Sequence, residues 1–346
     1  MAREQTVFSE LAVAYTLNGA SFESMDSVTE KDKEIYQKEL VKRSMSINGS
    51  RSTSALMSAG TMIRNKLLLD GSVSKLSIVW TGNDKSVSMS TVAKDIHIEN
   101  LNLRISIKEN ADVFINGSAE KVFNHLPLGI FGQTIRGEDW FLKTARNELN
   151  EYFLACEGEV FSGHNNIEAF YRSSKKPQRK LFGSHVKELH HKNTPHVMEK
   201  YSNLCQKVSI ESARIFNENL TTFLGERKNI SAALGPIFYF FFRINGVKYI
   251  LAGVENKEPF AVYMLPGDSW VKLYEFVGIV AIPLQAGQPE VLLKFTFRDK
   301  KSKETFDLDL KVEIRWSHGK FCGNPEAKVY KKWKYSSLPW SESLTD

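Results

Sequence analysis

The chain is poor in cysteine and has no long apolar run. Its three cysteines, Cys156, Cys205 and Cys322, lie far apart, so they give neither a zinc-finger spacing nor a disulfide framework. No window of about 18 residues is apolar and free of charge, which argues against a membrane span. The apolar stretch at the N-terminus contains acidic and polar residues, unlike a secretory signal peptide. We therefore expect a cytoplasmic protein in a reducing compartment.

Nucleotide-binding motifs are also absent. The sequence contains no Gly-x-Gly-x-x-Gly and no Walker loop, so it implies no nucleotide cofactor. The composition, 42% hydrophobic and 25% charged, is that of a globular protein, and 346 residues can bury a large core in about two domains. The net charge of +6 permits a polyanionic partner but does not require one.

Hydrophobic periodicity predicts an α+β protein. Helical spacing occurs in both halves of the chain, and short alternating strands lie between the helices. The predicted helices span 4–17, 27–42, 52–69, 138–154 and 200–224, and the first strands span 75–81, 95–98 and 103–108. We expect an N-terminal α/β core with a mixed sheet, followed by a mostly antiparallel β domain.

The second half of the chain changes character twice. Residues 171–235 combine a basic stretch with a long helix, and runs of β-branched and aromatic residues follow. Asn245-Gly246 is a strong hairpin signal, so strands are predicted over 238–244 and 247–254. The predicted division of the chain is 1–170 (α/β domain), 171–235 (basic arm and helical linker) and 236–346 (β-rich domain).

Polar residues with chemical potential lie at the ends of two predicted strands. Asp95 begins one short alternating run, and Lys108 ends the next. Metal-dependent phosphodiester hydrolysis needs such groups: oxygen ligands for a hard cation, and a positive charge beside the water or the scissile phosphate. A simpler interpretation also stays open, in which both are solvated residues on half-exposed strands.

The arrangement Asp95…Ser106-Ile107-Lys108 resembles the PD-(D/E)xK nuclease superfamily, and within it the restriction endonucleases. The preceding order of elements, a helix and then three strands, fits as well. The sequence departs from the family pattern at Lys94, where proline is usual, and at Ser106, where a second acid is usual. A subset of restriction enzymes has the same serine and takes the missing carboxylate from the following helix. The resemblance covers about 50–155.

The resemblance implies a Mg²⁺ site and a role for each residue. Asp95 would bind the ion, together with the backbone carbonyl of Ile107 and the carboxylate of Glu120, which lies twelve residues beyond Lys108. Lys108 would orient the attacking water and offset charge on the phosphate. The predicted catalytic residues are therefore Asp95, Lys108 and Glu120.

Other acids could replace or assist Glu120. Glu109 and Asp112 are weaker substitutes for it. In the family an acid on the preceding helix often assists, and Glu34 and Glu39 are the candidates here. The sequence does not choose between them.

Basic side chains concentrate in residues 172–192, where Pro177 and Gly183 predict a loop or arm. Lysine and arginine supply the sequence-independent part of DNA binding, and arginine can also read bases. The candidate nucleic-acid-binding residues are Lys175, Lys176, Arg179, Lys180 and Arg315. The alternatives are a solvated basic loop and, for Arg315, a turn after an edge strand with Trp316 in the core.

The leading hypothesis is a Mg²⁺-dependent endonuclease of restriction type that acts on double-stranded DNA. Cleavage of both strands needs two active sites, so a homodimer is expected. The β-rich segment 236–346 would then serve DNA docking or dimer formation. The alternative is a non-catalytic nucleic-acid- or protein-binding protein, in which 95–120 is ordinary structure.

Overall fold

The computed structural model of the chain contains helices and two β-sheets, which confirms the α+β class. It describes residues 2–70, 73–82, 95–109, 113–131, 139–157, 164–225, 227–242, 244 and 246–344. In these residues the α-helices are α1 (Ala2–Leu17), α2 (Glu30–Ser44), α3 (Ile47–Leu69), α4 (Trp140–Cys156), α5 (Ile167–Ser173), α6 (Lys176–His191), α7 (Pro195–Leu224), α8 (Ile230–Phe242) and α9 (Gly267–Leu273). None of the described helices is both long and apolar enough to cross a membrane.

The strands form one mixed and one antiparallel sheet. They are β1 (Ile78–Trp80), β2 (Ile96–Ile98), β3 (Leu103–Glu109), β4 (Val113–Ser118), β5 (Tyr249–Glu255), β6 (Glu258–Met264), β7 (Tyr274–Gln285), β8 (Pro289–Asp299), β9 (Thr305–Trp316), β10 (Pro325–Lys331) and β11 (Ser341–Ser343). The mixed sheet has the order β1-β2-β3-β5-β6-β11, and the antiparallel sheet has the order β4-β10-β9-β8-β7.

The chain divides into two compact units, each built from non-contiguous segments. The first unit takes its described residues from 1–112, 238–274 and 333–346, and the second takes them from 113–237 and 275–332. Residues beyond 236 therefore contribute to both units. The predicted borders at 170 and 235 are borders of composition and stay predictions.

In the first unit, β3 is a central strand of the mixed sheet. It runs antiparallel to β2 and parallel to β5, so that Ile105 pairs with Ile96 on one side and Ile250 on the other. These isoleucines share one face of the sheet, and that face is buried with apolar residues of α1 and α3, among them Leu11 and Ile63. The alternation that predicted β2 and β3 therefore reports a real buried face.

In the second unit, α4 and α7 pack against each other, and the Trp140 indole donates a hydrogen bond of 2.9 Å to the Ser212 hydroxyl. The chain turns after β9, at 317–324, and Trp316 is buried against Phe141, with ring centroids 4.2 Å apart. The predicted turn and the buried Trp316 are confirmed. The preceding strand is not an edge strand, however, because β9 lies between β8 and β10 in the antiparallel sheet.

The prediction of a strand over 238–244 is wrong, because residues up to Phe242 belong to α8. The buried residues of this segment are spaced at three and four residues, as on one stripe of a helix. They are Leu234, Ile237, Phe238, Phe241 and Phe242. A short apolar run alone is compatible with a strand or a helix, but buried residues at this spacing are typical of a helix.

The expected loop or arm over 172–192 is also wrong, because this stretch contains α6. Pro177 lies in the first turn of α6, where the missing N–H of proline costs nothing. Gly183 lies inside the helix, where a Cβ atom would come within 2.7 Å of the Lys320 carbonyl oxygen and 2.8 Å of the Cys322 sulfur. Glycine here permits close packing, so neither residue breaks the helix.

A single glycine permits the close pairing of β3 with β5. Gly253 has φ +142°, and a Cβ atom at this position would lie 1.8 Å from the carbonyl oxygen of Lys108. We predict that Gly253→Ala lowers the free energy of unfolding by about 2–4 kcal/mol, since it adds backbone strain and overpacking. Urea unfolding measures the effect. Gly278→Ala is the control, because nothing lies within 4 Å of that Cβ position; equal losses for both variants would contradict the prediction.

Candidate active site

Asp95 is held between two strands of the mixed sheet. Its backbone carbonyl accepts a hydrogen bond from the Thr81 N–H (2.9 Å), and its own N–H donates to the Ile105 carbonyl (3.0 Å). Its carboxylate oxygen Oδ2 accepts a hydrogen bond of 2.6 Å from the backbone N–H of Ile107. The structure thus places Asp95 directly beside the strand segment that ends in Lys108, as the sequence predicts.

Ser106 occupies the position between Asp95 and Lys108 where the family usually has an acid. Because Ile96 pairs with Ile105, the antiparallel register continued by one step brings Ser106 opposite Asp95. The serine is 1% exposed, and its hydroxyl has no hydrogen-bond partner among the described residues. It therefore contributes no charge, and a second carboxylate at the site has to come from elsewhere.

That carboxylate comes from Glu10 on α1, which sequence reasoning missed. Glu10 is 6% exposed, and its Oε2 accepts a hydrogen bond of 2.9 Å from the indole Nε1 of Trp80. Gly82 allows this approach, since a Cβ atom there would lie 2.0 Å from the same oxygen. Glu10 belongs to the first unit, and so do Asp95 and Lys108.

The pKa of Glu10 shows that the three groups interact. Burial and then the negative charge of Asp95 raise this pKa to about 7, while the Trp80 hydrogen bond and the positive charge of Lys108 lower it. Two carboxylates and a lysine are therefore electrostatically coupled at one place in the first unit. Such perturbed and coupled groups are typical of functional sites.

The two acids that the sequence offered for the helical position lie elsewhere on α2. Glu34 is exposed, and Glu39 is buried with its carboxylate 2.7 Å from the Lys42 amine. The sequence does contain a signal for Glu10, because it is the one charged residue between Val7 and Leu17. A lone acid inside an apolar helical stretch has to find a polar partner in the fold.

Glu109 does not face a metal site but anchors the end of β3. Its carboxylate accepts hydrogen bonds from Arg43 Nη2 (3.0 Å), Ser52 (2.5 Å) and Ser9. Burial alone would raise the pKa of Glu109, but these hydrogen bonds and the charge of Arg43 hold it below the ordinary value. Since Ser9 precedes Glu10 and Lys108 precedes Glu109, this cluster positions the helical acid and the lysine relative to each other.

Glu120 lies at the helical turn after β4, in the second unit. Its carboxylate oxygens lie 3.1 and 3.2 Å from the Lys143 amine, and Oε1 accepts a further hydrogen bond of 2.5 Å from the Asn124 amide. The predicted role of Glu120 as a metal ligand stays a prediction. Lys94 and Asp112 lie outside the described residues.

The described residues contain no group of three or more histidine, cysteine, aspartate or glutamate side chains arranged to hold a metal ion. Glu10 and Asp95 are two carboxylates, and the predicted third oxygen is the backbone carbonyl of Ile107. These are the hard oxygen ligands that Mg²⁺ takes, usually together with several waters. The donor set thus fits a hydrated Mg²⁺ better than a metal that prefers nitrogen or sulfur ligands.

The predicted nucleic-acid-binding residues differ in their surroundings. Lys175, Lys176 and Lys180 are exposed at and near the start of α6. Arg179 is half-buried and donates to the Ser174 hydroxyl (3.0 Å) and the Tyr171 carbonyl.

Arg315 on β9 lies 3.2 Å from a Glu326 carboxylate oxygen and 3.9 Å from one of Glu313. These acids already neutralise the guanidinium. Among the predicted nucleic-acid-binding residues, Lys175, Lys176 and Lys180 are therefore the ones that remain available to phosphates.

Comparisons with known proteins identify no relative of the chain, so the interpretation of this site rests on its own residues. No protein-family model matches the chain, and neither the curated proteins nor the solved structures give a match.

The raised pKa of Glu10 predicts a pH-dependent effect of Glu10→Gln on stability. Between the ordinary value near 4.5 and about 7, the folded chain binds a proton that the unfolded chain releases, so the Glu10 contribution to stability falls as pH rises. We expect Glu10→Gln to stabilise the protein by about 1–3 kcal/mol at pH 8 and by much less at pH 5. Urea unfolding at both pH values measures this. Glu34→Gln is the control at an exposed position. An effect of Glu10→Gln that is the same at both pH values would contradict the raised pKa of Glu10.

Proposed function

We propose that the protein is a Mg²⁺-dependent endonuclease of restriction type that hydrolyses DNA phosphodiester bonds. The observation that supports this most is the place of Asp95, whose carboxylate accepts a hydrogen bond of 2.6 Å from the N–H of Ile107, the residue before Lys108. The charges of Asp95 and Lys108 both act on the buried carboxyl of Glu10 and shift its pKa. A helix supplies one acid, the start of β2 supplies the second, and the end of β3 supplies the lysine. This is the order of elements and groups that the resemblance to the PD-(D/E)xK nucleases implies.

Asp95, Glu10 and the carbonyl of Ile107 would hold the ion in this proposal. Burial and then mutual repulsion disfavour two negative charges at this place, which is why the pKa of Glu10 is raised, and a divalent cation would reduce that cost. When bound, Mg²⁺ supplies Lewis-acid stabilisation of charge on the phosphate.

Lys108 has two tasks in the proposal. Its ammonium offsets the negative charge that develops on the phosphate oxygens, and it orients the attacking water by a hydrogen bond. Gly253 limits the freedom of the lysine backbone, because β5 approaches that backbone closely. The backbone that carries the amine therefore belongs to a paired strand rather than to a loop.

The exposed lysines of α6 would contact the DNA backbone. Lys175, Lys176 and Lys180 form no ion pair with an acid of the described residues, in contrast to Lys200 and Lys207 on α7, which do. Free lysines on one helix supply phosphate contacts that do not depend on base sequence. A homodimer remains the expected assembly, since two strands have to be cut.

We predict that the purified chain cuts plasmid and phage DNA into discrete fragments with Mg²⁺. Lys108→Met, Asp95→Asn and Glu10→Gln should each lower the rate at least about 100-fold, since each removes a charge that acts on the reacting phosphate or its metal ion. Gel electrophoresis of timed digests measures the rates, and Glu120→Gln tests the acid that the sequence favoured.

Two control variants keep this experiment specific. Lys38→Met and Glu34→Gln change exposed residues of α2 and should cut at the native rate. Cleavage that survives Lys108→Met and Asp95→Asn would refute the proposed site. Salt-sensitive DNA binding without any cleavage would favour the non-catalytic binding protein instead.

The lysines of α6 predict a change in salt dependence. In the Lys108→Met background, a Lys176→Ala/Lys180→Ala double variant should reduce the slope of log Kd against log salt concentration by about 2, because each lost phosphate contact reduces it by about 0.9. Fluorescence anisotropy with a labelled duplex measures the slope. Lys200→Ala/Lys207→Ala is the matched control on α7, and an equal change of slope in both would contradict the assignment to α6.

A further inference from the structure

The turn after β9 carries a lysine in unusual surroundings. The Lys320 amine lies over the ring of Tyr201, 3.2 Å from its centroid, with the rings of Tyr152 and Trp316 at 5.7 and 5.8 Å. All three rings are buried. Lys320 itself is half-buried, so part of it remains in contact with solvent. We refer to Lys320 and these three rings as the aromatic box.

No carboxylate of the described residues pairs with the Lys320 amine. The titratable groups that act on it are the thiols of Cys156 on α4 and Cys205 on α7, and it acts in turn on His190 of α6. Glu313 of β9 acts on the box through Tyr201. The ring faces attract an ammonium, but loss of its hydration without an opposite charge costs more than this attraction returns, so the neutral amine is favoured.

The electrostatics of the surrounding groups agree with this conclusion. Burial lowers the pKa of Lys320 to about 7, and the two thiols only partly oppose this shift. Burial also raises the pKa of Cys156 to about 12 and that of Cys205 to about 11. At neutral pH the nucleophile of this cluster is therefore the amine rather than a thiol.

The two tyrosine hydroxyls of the box already have hydrogen-bond partners, whereas the buried indole nitrogen of Trp316 has none among the described residues. The Tyr152 hydroxyl and the His190 ring nitrogen Nε2 lie 2.7 Å apart, and the Tyr201 hydroxyl donates to Gln288 at 2.9 Å. Burial lowers the pKa of His190 to about 4, so this histidine is neutral at pH 7. A compound that reaches Lys320 therefore meets aromatic faces, and no acid of the described residues pairs with the amine beside it.

We propose that Lys320 is a reactive lysine that forms a Schiff base with small, uncharged aldehydes. The amine lone pair attacks the carbonyl carbon, a C–N bond forms, and the oxygen takes a proton to give a carbinolamine. Loss of water then breaks the C–O bond, and the product is an imine. The aromatic walls favour an uncharged carbonyl compound, because the aromatic box includes no second cation to hold a carboxylate or a phosphate group.

The test uses the full native chain with a limiting amount of acetaldehyde and sodium cyanoborohydride, which reduces the imine to a stable ethylamine. Peptide mapping by mass spectrometry then gives the labelling rate of each lysine at several pH values. At pH 7 the neutral fraction of a lysine with pKa 7 is roughly a thousandfold that of an ordinary lysine. The half-buried Lys320 is less accessible to the aldehyde than the exposed Lys176, which reduces this advantage. We therefore expect Lys320 to be labelled at least tenfold faster than Lys176.

The pH profile separates a reactive amine from a merely accessible one. Labelling of Lys320 should level off above pH 7 to 8, whereas labelling of Lys176 should continue to rise toward pH 10. Lys311 is the matched control within the chain, since its amine also lies near an aromatic ring, that of Tyr330 at 5.2 Å, but pairs with Glu290 at 2.8 Å. Lys311 should therefore be labelled slowly at pH 7.

Two further measurements complete the test. Lys320→Arg should abolish the fast labelling. In urea, Lys320 should be labelled at the same rate as the other lysines, and this control shows that the peptide containing Lys320 is detected. Labelling of native Lys320 no faster than that of Lys311 and Lys176 at pH 7 would overturn the proposal. So would a Lys320 profile that rises in parallel with theirs. The result does not depend on DNA cleavage, so it stands or falls separately from the proposed nuclease.

Discussion

The hydrogen bonds to the Glu109 carboxylate are the constraint on which the candidate site depends. They join the end of β3 to α1, α2 and α3, through Ser9, Arg43 and Ser52. A buried carboxylate with a guanidinium partner is strongly destabilised when that partner is removed, so this arrangement has little freedom. Glu10 and Lys108 are chain neighbours of residues in the cluster, and their positions follow from it.

At Glu10, stability of the fold and chemistry at the candidate site favour different side chains. Glu10 lies in a buried environment that disfavours its charge, and the nearby Asp95 adds to that cost. The Trp80 hydrogen bond and Lys108 reduce the cost without removing it. A core that only served stability would carry an apolar or neutral residue at position 10, so the retained acid favours a functional interpretation.

Local patterns predicted the parts of this arrangement that are local. Alternation identified β2 and β3, and their adjacency places the Asp95 carboxylate on the backbone N–H of Ile107, the residue before Lys108. Glu10 was missed because α1 meets the sheet through contacts that are distant in sequence, and a helical stripe does not reveal which strand it will face. The errors at α6 and α8 have another origin: a proline, a glycine and an aromatic run were taken as breakers or strand formers, while tertiary packing used them in helices.

Buried ionisable groups occur here in two forms, and the difference between them separates structural from chemical roles. Glu109 and Lys311 each have a partner of opposite charge, and such pairs hold elements together. Neither Glu10 nor Lys320 has a direct ion pair among the described residues, and the pKa of each is moved to about 7, that of Glu10 even though the charge of Lys108 partly opposes the shift. A group that can gain or lose a proton at neutral pH is useful for chemistry and costly for stability. The two residues with that property therefore mark the two places in the chain where function is best sought.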